Sequence, residues 1–176
     1  MNPRLLGSLA AIGGIAWIIG VAMALILPPD EYGDHDNTYA VIGLVVGASL
    51  IGIVLGRLGT RPGSRSRTGL AIGIAAIVLG LTVAMGWPWF MVFLVGYPIL
   101  VLLATARACM TGGLPLWSVL IIGSTSVLAL VGVFDLPELA GTGNAFALFG
   151  LIGVGGLVLA VAALRPPSSA PTRLSS

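Results

Sequence analysis

Long apolar runs alternate with short polar segments along the whole chain. Six of these runs, at 5–27, 39–56, 69–85, 89–106, 114–134 and 145–164, contain no charged residue. A helix rises about 1.5 Å per residue, so a run of roughly 17 to 25 apolar residues crosses the ~30 Å hydrocarbon layer of a bilayer. The pattern therefore predicts an all-α, polytopic membrane bundle of six transmembrane helices occupying residues 1–164. Beyond it, 165–176 is rich in proline and serine and reads as a disordered cytoplasmic tail too short to form a domain.

The segments between the runs carry helix-end signals. Asn37 and Asn144 stand where the second and sixth helices begin, and an asparagine there can accept a hydrogen bond from an orphan backbone N–H. Gly86-Trp87-Pro88-Trp89 reads as a tight turn with two tryptophans at headgroup level. Gly112-Gly113-Leu114-Pro115 reads as the turn into the fifth helix. Arg57, Arg107 and Arg165 stand at the ends of the second, fourth and sixth helices, where a cation complements the negative helix terminus.

Charge turns this pattern into a topology. Basic residues near membrane spans are retained on the cytoplasmic side, and Arg57, Arg61, Arg65 and Arg67 crowd the link between the second and third runs. With that link inside, Arg4, Arg107, Arg165 and Arg173 fall on the same side, while Asp30, Glu31, Asp34, Asp36, Asp135 and Glu138 all fall on the other. Both termini are then cytoplasmic, and the expected location is the cytoplasmic membrane of a bacterial cell. Arg4, the first apolar run and Ala22-Met23-Ala24 resemble parts of a secretion signal, but the run is longer than the 7 to 15 residues of a signal core. Retaining it as a span also keeps all eight arginines on one side.

Composition narrows the class further. With 57% hydrophobic and only 8% charged residues, the chain lies far from soluble proteins, where about a quarter of residues are charged. Its net charge of +2 is accounted for by loop placement and implies no nucleic-acid partner. The chain has no lysine, which removes Schiff-base chemistry, and its single cysteine, Cys109, cannot form an internal disulfide.

A weak internal likeness links Asn37-Thr-Tyr-Ala-Val-Ile-Gly-Leu44 with Asn144-Ala-Phe-Ala-Leu-Phe-Gly-Leu151, where four of eight positions are identical. Gly96 stands at a similar spacing in the fourth run. Three helical hairpins in parallel repeat would produce this pattern, and such a repeat differs from the inverted repeats of many transporters. Small residues spaced for close helix contact recur at Gly43 and Gly47, Gly52 and Gly56, Gly69 and Gly73, and Gly150, Gly153 and Gly156, and are expected mainly to serve the fold.

Candidate chemistry is sparse. No ionisable Asp, Glu, His, Lys or Arg lies within a run, whereas proton relays, ion-coupled carriers and voltage sensors need such groups. Intramembrane haem ligation and metalloprotease chemistry lack their histidines, and a membrane serine protease lacks a base. The segment 28–37 holds four carboxylates and His35, so Asp34, His35 and Asp36 could ligate a divalent cation, with Asp135 and Glu138 as neighbours. The segment has neither the spacing of a calcium loop nor that of a zinc site, and a solvated hairpin tip is the simpler expectation. Within the runs, Tyr97 and Pro98 on the fourth helix and Ser124, Thr125 and Ser126 on the fifth fall at similar depth. They could line a small polar site, with Tyr97 facing the interior and donating to a hydroxyl or carbonyl of the fifth or another helix. Alternatively, the hydroxyls bond back to their own helix.

These features point away from an enzyme and name no cofactor. They favour an accessory protein, or a binder of lipid or another apolar ligand, that works by association with membrane lipids, with further copies of itself or within a larger membrane complex. A channel or uncoupled transporter for a small neutral solute, built on the hydroxyls and the kink at Pro98, is the alternative.

Overall fold

Every apolar run forms a helix in the computed structural model, which describes residues 2–26, 38–60, 67–85, 88–134 and 144–164; side chains of 144–146 are not described. The helices are α1 (Pro3–Ile26), α2 (Thr38–Leu58), α3 (Arg67–Thr82), α4 (Trp89–Met110), α5 (Leu116–Phe134) and α6 (Asn144–Leu164), with a 3-10 turn at Val83–Met85 extending α3. No strand occurs among the described residues. All six spans are long and apolar enough to cross a membrane, at 18 to 24 residues each. The protein is a multi-pass membrane protein built as a helical bundle.

Helix ends follow the local sequence. α4 opens on Pro88, whose carbonyl accepts from the Met91 N–H at 3.0 Å. It closes on Gly112, the one described residue in the left-handed region, at φ 74°. There the Gly113 N–H donates to Ala108 O at 2.8 Å and the Gly112 N–H to Cys109 O at 2.9 Å. This pair of bonds satisfies the last carbonyls of α4 and requires a residue that tolerates positive φ, as glycine does. Pro98 lies inside α4, which continues through it. Asn144 is the first residue of α6 rather than a residue ahead of it. Asn37 and the 165–176 segment lie outside the described residues.

The helices form a closed ring in chain order, each packing on the next and α6 returning to α1, with α2 also touching α4 across the ring. Successive helices are antiparallel, so Arg4, Arg57, Arg67 and Arg107 share one end of the bundle. Glycines determine which faces meet. On α1, Gly13 and Gly20, seven residues apart, face α2: a Cβ at Gly20 would lie 2.9 Å from Ala40 O, and one at Gly13 would lie 3.0 Å from Leu50 Cβ. Gly7 and Gly14, also seven apart, face α6, where a Cβ at Gly14 would lie 2.7 Å from Gly153 O. Gly56 on α2 meets Gly69 and Gly73 on α3, and Gly52 meets Ala76. Lipid offers no hydrophobic drive for helix association, so this close backbone approach supplies van der Waals contact that larger residues would prevent. Aliphatic residues cover the outside, for example Leu70, Ile74, Val78 and Leu81 along α3.

Candidate functional site

The axis of the ring is filled where α1, α4 and α6 turn their largest side chains inward. Trp17 stands on α1 between the glycine pairs that bring α2 and α6 close, and Gly47 of α2 leaves room for it: a Cβ there would lie 2.9 Å from Trp17 Cβ. Phe93 and Tyr97 are four residues apart on α4 and so share a face, while Phe149 enters from α6. The Trp17 ring centroid is 4.9 Å from that of Tyr97, 5.2 Å from Phe149 and 5.6 Å from Phe93, and Phe93 meets Phe149 edge-on at 70°. All four side chains are fully buried. Such pairs contribute about 0.5 to 1.5 kcal/mol each beyond the area they bury.

Both heteroatoms of this cluster are satisfied by helix backbone. The Trp17 Nε1–H donates to Phe149 O at 3.0 Å, and the Tyr97 hydroxyl donates to Ala48 O of α2 at 3.0 Å. Tyr97 therefore faces the interior and donates to a backbone carbonyl, as its depth in the sequence suggests, but its acceptor lies on α2 and not on α5. Pro98, next to it, is also fully buried.

The α5 hydroxyls do not join Tyr97. Thr125 Oγ1 and Ser126 Oγ both donate to Ile122 O, each at 2.9 Å, and Ser124 is exposed on the outside of the bundle. The reason is angular. Gly123 of α5 approaches Leu102 of α4, and Leu102 stands five residues from Tyr97, about 140° around the helix. The α4–α5 contact thus lies on a different side of α4 from the tyrosine. Thr125 turns instead toward α6, where a Cβ at Gly155 would lie 2.9 Å from its hydroxyl.

Two further polar groups near the arginine end of α4 are buried. The Thr105 hydroxyl is sealed without a hydrogen-bond partner, and so is Nε of the half-buried Arg107. Asp34, His35 and Asp36, with Asp135 and Glu138, lie outside the described residues. Among the described residues no group of three or more His, Cys, Asp or Glu side chains is placed to hold a metal.

The aromatic centre escaped the sequence reading, which weighed tryptophan as an interface residue. Trp17 carries a usable signal, since it stands midway along its helix while Trp89 and Trp117 stand near helix ends. Chemically, the centre offers bulk and two satisfied donors, with no Asp, Glu or His among the described residues to act as acid or base. Comparison with known proteins adds nothing to this geometry, because no family model, curated protein or solved structure matches the chain.

Proposed function

We propose that this is a non-enzymatic protein of the bacterial cytoplasmic membrane, with both termini in the cytoplasm, that acts by association. It serves as an accessory subunit in a larger membrane complex or a homo-oligomer, or it binds a lipid or other apolar ligand. The observation that carries this reading is the filled axis: Trp17, Phe93, Tyr97 and Phe149 occupy the centre of the ring, and both of their donors are satisfied by backbone. A bundle so filled favours work done on its outer surface over passage of a solute through it. The glycine faces are consumed between the protein's own helices, so that surface is the aliphatic one, such as the Leu70, Ile74, Val78 and Leu81 face of α3.

The competing reading is a channel or uncoupled transporter for a small neutral solute, favoured by the buried hydroxyls of Thr105, Thr125 and Ser126. Osmotic swelling of vesicles containing the purified protein, challenged with glycerol and urea, separates the two. Swelling at the rate of protein-free vesicles is expected, and a rate that rises with the amount of protein would establish the channel. Purification in mild detergent followed by mass spectrometry of what co-purifies then distinguishes a protein partner from a lipid.

A further inference from the structure

Ser124 differs from every other polar group on the described outside of the bundle. It is exposed, and it lies eight residues from Leu116 and ten from Phe134, near the middle of α5. Each other exposed polar side chain among the described residues stands no more than five residues from a helix end, within reach of water and headgroups. At about 1.5 Å per residue the nearer end of α5 is roughly 12 Å from Ser124, so its hydroxyl faces hydrocarbon.

The helix itself does not take up that hydroxyl. Thr125 and Ser126 both donate to Ile122 O, whereas Ser124 donates to no carbonyl among the described residues. Acyl chains offer no acceptor, and a polar group at this depth is stabilised by a partner on another helix. The surroundings of Ser124 have the pattern of a helix contact. Leu120, Ser124, Val127, Val131 and Phe134 are all exposed and follow one another at spacings of four, three, four and three residues. That 3.5-residue period keeps one seam of a helix facing a neighbour in a left-handed crossing of about 20°. The neighbours of α5 within the bundle, α4 and α6, leave the seam uncovered.

A second copy of the chain fits this seam. Copies inserted in one orientation can be related by a two-fold axis along the membrane normal, which places each residue at the depth of its counterpart. The two Ser124 hydroxyls then meet. A hydroxyl carries one donor and two acceptor lone pairs, so it is complementary to itself, as a donor-only group such as a tryptophan N–H is not. Leu120 on one side of it, and Val127 and Val131 on the other, meet their counterparts in the same seam.

We propose that the protein forms a two-fold dimer through the outer face of α5, with the two Ser124 hydroxyls hydrogen-bonded at its centre. The proposal rests on the reading that the protein acts by association, and it names the partner as a second copy of this chain.

Cysteine cross-linking in native membranes tests the face, and energy transfer between labelled copies in vesicles tests the hydroxyl. In a Cys109→Ser background, oxidation with iodine should join copies carrying Val127→Cys or Val131→Cys into dimers, while Ile74→Cys on α3 and Val154→Cys on α6 stay monomeric. Ser124→Ala should weaken dimerisation about threefold, the scale of one hydrogen bond between membrane helices, and Ser8→Ala should leave it unchanged. Ser124→Ala removes no hydrogen bond within the bundle, so the fold is retained. Dimers formed at Ile74→Cys or Val154→Cys in place of the α5 positions would overturn the α5 face while keeping association, and a different membrane protein captured at Val127→Cys would overturn the second copy as partner. Dimerisation of Ser124→Ala as tight as that of the wild type would overturn the serine contact and the proposal with it. Monomers throughout would overturn the dimer alone, and monomers together with swelling that rises with the amount of protein would overturn the association reading as well.

Discussion

Trp17 and Tyr97 stack at the centre of the bundle with ring centroids 4.9 Å apart and planes inclined by 28°. Each sends its one donor to a backbone carbonyl on another helix, Trp17 to Phe149 of α6 and Tyr97 to Ala48 of α2. One stacked pair thereby ties four of the six helices. In hydrocarbon neither donor could find water, so pairing with a carbonyl is the arrangement that avoids an unsatisfied group.

The two donors differ in what their loss exposes. Tyr97→Phe removes a hydroxyl but keeps the ring, and should cost about 0.5 to 1.5 kcal/mol in a reversible detergent unfolding titration. Trp17→Ala removes ring and donor together at a fully buried site and should cost about 3 to 5 kcal/mol. A Tyr97→Phe effect as large as that of Trp17→Ala would mean that the hydroxyl does more than bond Ala48.

Glycine substitutions on α1 and α5 should diverge, although both occur within helices. A Cβ at Gly14 would lie 2.7 Å from Gly153 O and 3.0 Å from Leu157 N, backbone atoms that cannot move aside alone. Gly14→Ala should therefore separate α1 from α6 and cost about 1 to 3 kcal/mol. At Gly123 the nearest atom to an added Cβ is Leu102 Cδ2 at 3.8 Å, so Gly123→Ala should be neutral or gain up to about 1 kcal/mol from helix propensity. The same unfolding titration reads both.

Thr105 offers a test of opposite sign. Its hydroxyl is buried and has no partner, so Thr105→Val, which keeps the shape, removes an unsatisfied group. Stability should be unchanged or raised by up to about 1 kcal/mol. A clear loss in the variant's unfolding midpoint would show that the hydroxyl is bonded, for instance to a buried water.

The membrane orientation is testable by labelling in intact cells. In a Cys109→Ser background, Gly33→Cys should react with an impermeant thiol reagent added outside, while Ser64→Cys and Ala170→Cys should be protected until the cells are opened. Labelling of Ser64→Cys from outside would invert the topology derived from the arginines.

The likeness between 37–44 and 144–151 acquires a physical meaning in the bundle. Gly43 lies against Ala16 and Gly20 of α1, and Gly150 lies against Val21 of the same helix. The two similar segments thus flank one common neighbour from its two sides. The shared glycine marks the need to approach α1 closely, a need that the sequence displays without saying which helix imposes it.

The number of helices, their alternating direction and the gathering of Arg4, Arg57, Arg67 and Arg107 at one end could all be read from the sequence alone. Each is a property of a single segment: a chain in hydrocarbon must satisfy its backbone within its own helix, and the charges must stay out of that layer. Which faces meet was decided only by the tertiary structure. The closure of α6 onto α1, the inward turn of Trp17 and the choice of Ala48 over the α5 hydroxyls as the partner of Tyr97 all depend on pairs of surfaces. These helices are apolar all round, so no polar stripe marks an outside. The inward face is selected by shape, where a glycine on one helix admits the backbone or ring of another, and that fit exists only when both partners are in place.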